Sequence, residues 1–404
     1  MSTSLLYHAY GLRGYHQQRI DFENGTIRLV IAQNPDTLCC SNCGSPAVTR
    51  AGEVVRRFRS LPIGSKAVWL ELGVPRLWCA GCGKTRQGKI GFADARVSYT
   101  RCFERYALEL SSHMTIQAVA HHLGVSWDVI KDIQKRYLQR RFAKIPLQNL
   151  RRIAIDEISI GKGHHYLTVV LDLDSGAVVF IGEGKGADSL RPFWKKLRRR
   201  QAQIEAVATD MSPAYALAVH ENLPRAVHVL DRFHVVKLFN DQLANLRREV
   251  QGSIEKVEHK KLLKGTLWLL LKNPENLDPR KNERERLDEA LRINHPLATA
   301  YYMKEDLRQF WEQPGKRTAT RFLDDWIARA QASGVAMLQR FAKTLQLHRN
   351  GLLAWYDYSI STGPLEGTNN KIKTMQRQAY GFRDQEFFKL KIYAIHESTY
   401  ALVG

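Results

Sequence analysis

Hydrophobic and polar positions alternate along the first part of the chain and then take a helical period. Between about residues 20 and 90, short runs such as Thr26–Val30 and Val68–Leu72 alternate apolar and polar side chains, which predicts a small β-rich module. From residue 101 to residue 150 the apolar side chains recur at helical spacing. This second pattern predicts an all-helical segment.

A third pattern follows Arg151–Arg152. Apolar runs joined by short glycine-containing turns predict a meander of three strands, Ile153–Ile160, His165–Leu173 and Ala177–Ile181, with turns at 161–163 and 174–176. The pattern then predicts a helix over about 188–201, a strand over 204–209, a helix that Ser212 caps ahead of Pro213, and a strand over 226–230. This βββαβαβ order is typical of a mixed sheet with helices packed on it, so the fold class is α/β. Residues 235–350 are predicted to be almost entirely helical, and a final helix is predicted to begin near Pro364.

The charge of the chain favours a polyanionic partner. Lys and Arg number 61 and Asp and Glu 40 among 404 residues, so the formal net charge is +21 and the pI is about 9.8. Residues 1–152 hold 23 Lys and Arg against 10 Asp and Glu, a net +13. No apolar run approaches the length of a membrane span, and the first ten residues lack the features of a signal peptide. We therefore expect no membrane partner and an intracellular location.

Four of the six cysteines form two paired motifs, within Cys40–Gly44 and Cys79–Gly83. Two such turns can place four thiolates around one Zn²⁺, and the glycine of each lets backbone amides face the sulfurs. Four protein ligands close the coordination sphere of a structural metal. We expect one structural zinc per chain, bound by Cys40, Cys43, Cys79 and Cys82. The alternative is a set of ordinary buried or redox cysteines.

Residues 115–130 have the spacing of a helix-turn-helix unit. Gly124 stands at a tight turn between two helical stretches, Ala120 lets the helices cross closely, and Ser126 caps the second helix. The second helix of such a unit enters a major groove. We predict DNA contacts from Ser126, Trp127, Lys131, Lys135 and Arg136, with Arg140 and Arg141 further along for flanking phosphates. The alternative is an ordinary helical hairpin with a solvated basic face.

Two acidic residues mark the predicted sheet. Asp156 lies within its strand between apolar side chains, where a carboxylate is costly to desolvate unless a metal or another cation pairs with it. Asp210 follows the strand predicted over 204–209, and functional groups gather at such strand ends in open α/β sheets. For each residue alone, a surface carboxylate is the alternative.

A third carboxylate, Glu366, lies in the first turn of the helix predicted near Pro364. The helix dipole favours a negative charge at this position. Asn370, Lys373 and Arg377 follow Glu366 on one face at helical spacing. That face would present a metal ligand followed by groups able to contact nucleic acid, and the alternative is a capped helix with a solvated polar face.

These features together resemble the DDE transposases of bacterial insertion sequences, specifically the ISL3 family. The resemblance covers nearly the whole chain, in the paired cysteine motifs and in Ala154–Glu157, Ala208–Ser212, Val229–Lys237, Glu366–Lys373 and Arg377–Arg383. It implies an N-terminal zinc ribbon over 1–95 and a helix-turn-helix domain over 96–150. It also implies an RNase H-like, retroviral-integrase-like catalytic domain over 151–404, with a helical insertion at about 240–345.

The resemblance assigns roles to several residues. Asp156, Asp210 and Glu366 would be a catalytic triad that holds two Mg²⁺, for which Mn²⁺ can substitute. Asp231 and His234 would be an accessory pair near the active centre. Without the resemblance, Asp231 could equally be a helix cap and His234 a core histidine.

The implied activity is DNA transposition. The protein would bind the terminal inverted repeats of a mobile element, cleave strands with Mg²⁺ and join the freed 3′ ends to target DNA. Its partners would be double-stranded DNA and at least one further copy of the chain, in the prokaryotic cytoplasm at the nucleoid. Two alternatives stay open, namely a non-catalytic DNA-binding regulator on the same scaffold and a plain nuclease of the RNase H type.

Overall fold

The computed structural model describes residues 4–396 with the exception of Lys162, His164, Lys256 and the side chain of Glu258. The chain divides into two compact units. The first unit comprises the residues up to Ala143 and those from Thr374 onward, and the second comprises Lys144–Lys373. The turn predicted at 161–163 has its central residue outside the described part. The domain boundaries predicted at residues 95 and 150 stay a prediction.

The strands and helices have the following bounds, and the two longest connections of the first unit are residues 34–47 and 88–100. The strands are β1 Tyr15–Glu23, β2 Thr26–Gln33, β3 Val48–Ile63, β4 Lys66–Cys79, β5 Lys84–Gln87, β6 Arg152–Ser159, β7 Tyr166–Asp172, β8 Val178–Glu183, β9 Ala206–Thr209 and β10 Val227–Leu230. The helices are α1 Leu5–Tyr10, α2 Arg101–Ser111, α3 Ile116–Leu123, α4 Trp127–Arg141, α5 Arg191–Arg200, α6 Pro213–Asn222, α7 Arg232–Ser253, α8 Val257–Gly265, α9 Leu267–Leu271, α10 Glu283–Ile293, α11 His295–Arg308, α12 Lys316–Ala332, α13 Ala336–Leu347, α14 Arg349–Leu353, α15 Gly363–Gln378 and α16 Gln385–Tyr393.

A five-stranded sheet in the first unit confirms the predicted β-rich module. Its strand order is β1-β2-β4-β3, and β5 also pairs with β4. The antiparallel register of β3 and β4 pairs Val48 with Cys79. This register returns the end of β4 to the start of β3, next to the loop that carries the first cysteine motif.

Three helices of the first unit form the predicted helix-turn-helix region. The side chains of Thr100, Thr115 and Ser126 each cap a helix by accepting a hydrogen bond from a backbone amide of its first turn. Gly124 has φ +61° at the turn between α3 and α4, a conformation that glycine adopts without strain. The apolar faces of α2, α3 and α4 share one core.

The sequence pattern predicts that the helix beginning near Pro364 is the last one, and this prediction is wrong. α16 follows it and supplies Phe387 to the same core as α2, α3 and α4. The Asp384 side chain caps α16 by accepting a hydrogen bond from the Phe387 amide at 3.0 Å. The helix-turn-helix core therefore includes residues from the C-terminal part of the chain.

The second unit contains a mixed sheet with the order β10-β9-β6-β7-β8. β6, β7 and β8 form an antiparallel meander, and β6, β9 and β10 run parallel. Apolar side chains of α5 and α6, such as Phe193 and Val219, pack with Ile155 and Val207 of the sheet. This arrangement confirms the predicted RNase H-like α/β core.

A helical region runs from α7 to α14 in the second unit, as predicted. Phe239, Trp326 and Phe341 lie at its centre, and their rings meet edge to face. No helix in the described part of the chain is long and apolar enough to cross a membrane.

Candidate functional site

Two turns bring the four predicted zinc ligands together in the first unit. Cys40 and Cys43 precede β3, Cys79 ends β4, and Cys82 lies in the turn to β5. Their four sulfur atoms lie within 4.8 Å of one another, with the Sγ atoms of Cys43 and Cys79 3.5 Å apart and those of Cys40 and Cys82 3.9 Å apart. Sulfurs bound to one tetrahedral zinc at about 2.3 Å are separated by about 3.8 Å. The geometry therefore fits Zn²⁺.

Backbone amides favour the thiolate form of one cysteine of this cluster, Cys40. The amides of Cys43 and Asn42 donate to the Cys40 sulfur and lower the pKa of Cys40 to about 6, whereas burial raises the pKa of Cys79. Gly44 and Gly83 close the two turns with φ +74° and +62°. Since the thiolate is the metal-binding form, Cys40 is ready to bind a cation at neutral pH.

The parallel strands of the second unit carry three acidic residues to one edge of the sheet. Ala154 pairs with Ala208, and continuing this register sets Asp156 level with Asp210. Leu230 pairs with Thr209, so Asp231 follows β10 beside Asp210. The carboxyl ends of parallel strands are where α/β sheets place functional groups.

The Asp156 carboxylate is half-buried and held at both oxygens. Its Oδ1 accepts a hydrogen bond from the Glu157 amide at 2.8 Å, and its Oδ2 accepts one from Nδ2 of Asn369 at 2.9 Å. Burial raises the pKa of Asp156, the nearby charge of Asp210 raises it further, and His234 opposes the rise. Asp210 and His234 are thus close enough to act on Asp156 electrostatically.

Asp210 fixes the start of α6. Its Oδ1 accepts a hydrogen bond from the Ser212 amide at 2.9 Å. Ser212 occupies the predicted cap position, but its own side chain makes no cap hydrogen bond. The predicted cap position is therefore confirmed, and the carboxylate of Asp210 rather than the Ser212 hydroxyl makes the side-chain hydrogen bond in this turn.

Glu366 lies in the first turn of α15, as predicted, and is partly buried. One turn later, Asn369 contacts Asp156, so the start of α15 reaches the acidic edge of the sheet. Asn369 is buried. The sequence analysis names its neighbour Asn370 as a functional residue and does not name Asn369. Its position three residues after Glu366, on the same helix face, was the available signal. Asn370, Lys373 and Arg377 are exposed, and their predicted DNA contacts stay a prediction.

The carboxylate oxygens of Asp156, Asp210 and Glu366 do not form a cluster as close as that of the four cysteine sulfurs. Within the described residues, the cysteine quartet is the one group of three or more potential metal ligands whose ligand atoms come this close together. Ionised carboxylates repel one another unless a cation or a shared proton lies between them. The sheet register sets Asp156 level with Asp210, and the Asn369 contact brings α15, the helix that carries Glu366, to Asp156.

Asp231 is only 1% exposed and connects two elements of the second unit. Its Oδ1 accepts a hydrogen bond from the Thr362 amide at 3.2 Å, just before α15 begins. Its Oδ2 has no hydrogen-bond partner among the described residues. Asp231 is the N-cap residue of α7, so the helix-cap alternative holds for its position, but its side chain makes no cap bond there. His234 lies in the first turn of α7 and is partly buried.

The predicted DNA-contact residues of α4 differ in what they contact. The Ser126 hydroxyl accepts a hydrogen bond from the Val129 amide at 3.4 Å, and the exposed Trp127 ring lies under the Lys131 ammonium at 5.6 Å. Lys131 and Lys135 form ion pairs with Asp384 at 3.1 and 3.0 Å. The two lysines are available to DNA only where DNA competes with Asp384, whereas Trp127 is 43% exposed.

Two further ion pairs complete this side of α4. Lys135 also meets Glu386 at 2.7 Å, and Arg136 meets Asp94 at 3.2 Å while donating to the Tyr99 hydroxyl. The Phe387 amide and the two lysines hold the pKa of Asp384 well below its usual range. Phosphate contacts by Lys131, Lys135 and Arg136 stay a prediction, and they would replace acidic partners within the chain.

Three family profiles match this chain. Residues 153–392 match a family described as transposase. Residues 89–138 match the helix-turn-helix domain of transposase family ISL3, and residues 36–82 match the zinc finger of the transposases of IS204, IS1001, IS1096 and IS1165. The zinc-finger match and the cysteine geometry agree on a zinc site.

Individual proteins are similar over most of the chain. The transposase for insertion sequence element IS1001 of Bordetella parapertussis is 33% identical over 390 residues, 95% of this chain and 96% of that protein. The transposase for IS1557 of Mycobacterium tuberculosis is 32% identical over 372 residues, 86% of this chain and 83% of that protein. The Drosophila P element transposase in its strand transfer complex covers 76% of this chain and 94% of its own, with a TM-score of 0.40 and 12% identity.

We expect the native protein to contain one zinc per chain and Cys79→Ser to lose it, because three thiolates no longer complete the tetrahedron. Loss of a structural zinc removes folding free energy, so the melting temperature falls as well. Elemental analysis measures the first effect and thermal unfolding the second. Cys39→Ser changes a neighbouring cysteine outside the cluster and serves as the matched control. A Cys79→Ser protein with a full complement of zinc would contradict the assignment.

Proposed function

Because the chain belongs to the ISL3 family of transposases, we propose that it cleaves and joins DNA strands with Asp156, Asp210 and Glu366 as its catalytic acids. The observation that carries this assignment is the register of the second sheet, which sets Asp156 and Asp210 level on neighbouring parallel strands. The hydrogen bond from Asn369 to Asp156 supports a place for Glu366 at the same edge.

The three carboxylates offer the hard oxygen ligands that Mg²⁺ prefers. When bound there, two Mg²⁺ would activate the attacking water or 3′-hydroxyl and stabilise the leaving oxygen, and Mn²⁺ would substitute. Asn369 orients the Asp156 carboxylate, and the Ser212 amide orients that of Asp210. Each of these bonds fixes the direction in which a carboxylate presents its oxygens, so the residues are positioned before DNA arrives.

The first unit would recognise the terminal inverted repeats. Its helix-turn-helix core and its basic N-terminal sequence favour double-stranded DNA as the partner. Transposition requires two ends in one complex, so a homodimer or larger assembly at the bacterial nucleoid is part of the proposal. Since Phe387 completes the helix-turn-helix core, binding belongs in tests on the full chain rather than on an N-terminal fragment.

Two other activities would use parts of the same scaffold. A non-catalytic regulator would need the zinc ribbon and the helix-turn-helix but no convergent acids, and all three acids are present. A plain nuclease of the RNase H type would cleave without joining. Incubation of the protein with Mg²⁺, terminal-repeat DNA and a target plasmid tests all three activities, since joined products are expected from a transposase alone.

We expect Asp156→Asn, Asp210→Asn and Glu366→Gln each to lower strand cleavage by about a thousandfold or more while sparing DNA binding. Each change keeps the side-chain shape and removes one charged metal ligand. Because the acids act as a unit, a double variant should be scarcely worse than a single one. Cleavage and binding assays on the same end-labelled DNA measure the two effects.

Glu157→Gln is the matched control for these variants. Glu157 lies on the opposite face of β6, where its carboxylate accepts hydrogen bonds from the Tyr215 hydroxyl at 2.6 Å and the Gly186 amide at 2.8 Å. A glutamine oxygen can still accept both bonds, so most cleavage activity should remain. Near-normal cutting by Glu366→Gln would remove Glu366 from the site.

Asp231 acts in this proposal as a positioning residue for α15. Its buried Oδ1 holds the Thr362 amide four residues before Glu366, so it fixes where the Glu366 helix begins. A buried hydrogen bond to a charged group contributes about 1.5–3 kcal/mol. Loss of this bond would let the first turn of α15 move relative to β10.

We therefore expect Asp231→Ala to raise the Mg²⁺ concentration needed for half-maximal cleavage by about tenfold or more. Asp231→Asn keeps an accepting oxygen for Thr362 and should retain a much lower Mg²⁺ requirement. Titration of cleavage against Mg²⁺ separates the two variants. Equal damage from Asn and Ala would instead indicate that Asp231 is itself a metal ligand.

A further inference from the structure

A cleft of about 990 Å³ opens within the first unit, beside the start of α4. Its walls come from the first turn of α3, from the start of α4 and from the segment between α15 and α16 together with α16 itself. Trp127, Tyr380 and Arg383 lie on its exposed parts, and Phe387 and Lys391 are buried in it. This size is at the upper end of the range for small-molecule and cofactor sites.

Lys391 gives the cleft a positive charge that the chain does not neutralise. The side chain is only 9% exposed, and no described residue forms an ion pair or a hydrogen bond with its ammonium. Burial lowers the pKa of Lys391 to about 8, so the ammonium remains mostly charged at neutral pH. A buried charge without a partner is costly, and an anion entering the cleft would lower that cost.

The one carboxylate that lines the cleft is already neutralised. Asp384 meets Lys131 and Lys135, and its oxygen also accepts from the Phe387 amide. Lys391 lines a second cleft of about 420 Å³ as well, where the exposed Glu109 carboxylate offsets the exposed Arg105 guanidinium, whereas the first cleft has the exposed Arg383 and no unpaired carboxylate. An anion is therefore better accommodated on the Trp127 side.

Aromatic rings provide the second feature of the cleft. Trp127 is 43% exposed, and Tyr380 is fully exposed in a tight turn where it and Gly381 both have positive φ. The Lys131 ammonium lies over the Trp127 ring at 5.6 Å, which holds the ring in place. Aromatic faces combined with cations are the features by which proteins bind single-stranded nucleic acid.

We propose that this cleft binds an unpaired nucleotide of a DNA strand, with a phosphate near Lys391 and a base against Trp127. Bases within a duplex present only their edges to a protein, so a ring in a cleft can stack on a base only where pairing is broken. Unpaired nucleotides arise where a strand is cut or frays at its end. The inference deepens the proposed function, because it assigns a place to the strand end that cleavage would release.

The test measures binding alone, so it stands apart from the catalytic acids and from Mg²⁺. Fluorescence anisotropy measures the affinity of the full-length protein for a blunt duplex. The same measurement is made for that duplex with a short single-stranded 5′ tail and, separately, with a short single-stranded 3′ tail. Stacking contributes about 1–3 kcal/mol per base, so one tail should raise affinity by roughly tenfold. Lys391→Met and Trp127→Leu should each abolish this gain, and Trp127→Phe should keep most of it.

Lys343→Met, which removes an exposed lysine from α13, is the matched control and should keep the full gain. For each variant the measured quantity is the affinity for the tailed duplex divided by the affinity for the blunt duplex. A general loss of DNA binding lowers both affinities and leaves this ratio unchanged. A purely structural Lys391 would give a Met variant that is more stable and has an unchanged ratio. An unchanged affinity ratio in Lys391→Met would overturn the proposal. An affinity ratio near one in the unmodified protein would also overturn it, and is the result expected if another protein segment fills the cleft.

Discussion

The parallel register of β6, β9 and β10 is the constraint on which the candidate site depends. It carries Asp156, Asp210 and Asp231 to one edge of the sheet, although long stretches of chain separate them. A shift of one residue in β6 would send Asp156 to the opposite face, where Glu157 now meets Tyr215. Backbone pairing therefore decides which carboxylates share one edge of the sheet, and the side chains refine the arrangement.

Placing acids at this edge costs desolvation free energy, and a small set of hydrogen bonds offsets it. Asp156 accepts from Asn369, Asp210 accepts from the Ser212 amide, and Asp231 accepts from the Thr362 amide. Two of these donors lie in or just before α15, the helix of Glu366. The bonds from Asn369 and Thr362, which offset the desolvation of Asp156 and Asp231, thus also connect the sheet with the helix that carries Glu366.

Features set by local spacing could be predicted from the sequence. The paired cysteine motifs, the alternating strands and the Gly124 turn all depend on neighbours a few residues apart, and the structure has each of them. Asn369 could not be chosen over Asn370 in this way, because the rotation of α15 against the sheet decides which amide is buried. The ion pair of Lys135 with Asp384, 249 residues away, could not be predicted either. Charge patterns along a sequence do not show which distant acid pairs with a given lysine.

Anomalous diffraction from crystals grown with Mn²⁺ and terminal-repeat DNA would test the central claim most directly. Mn²⁺ takes the place of Mg²⁺ and is itself visible by its anomalous signal. The account predicts peaks within about 2.0–2.5 Å of carboxylate oxygens of Asp156, Asp210 and Glu366. Well-occupied Mn²⁺ at other carboxylates, with none at Asp156 and Asp210, would contradict it.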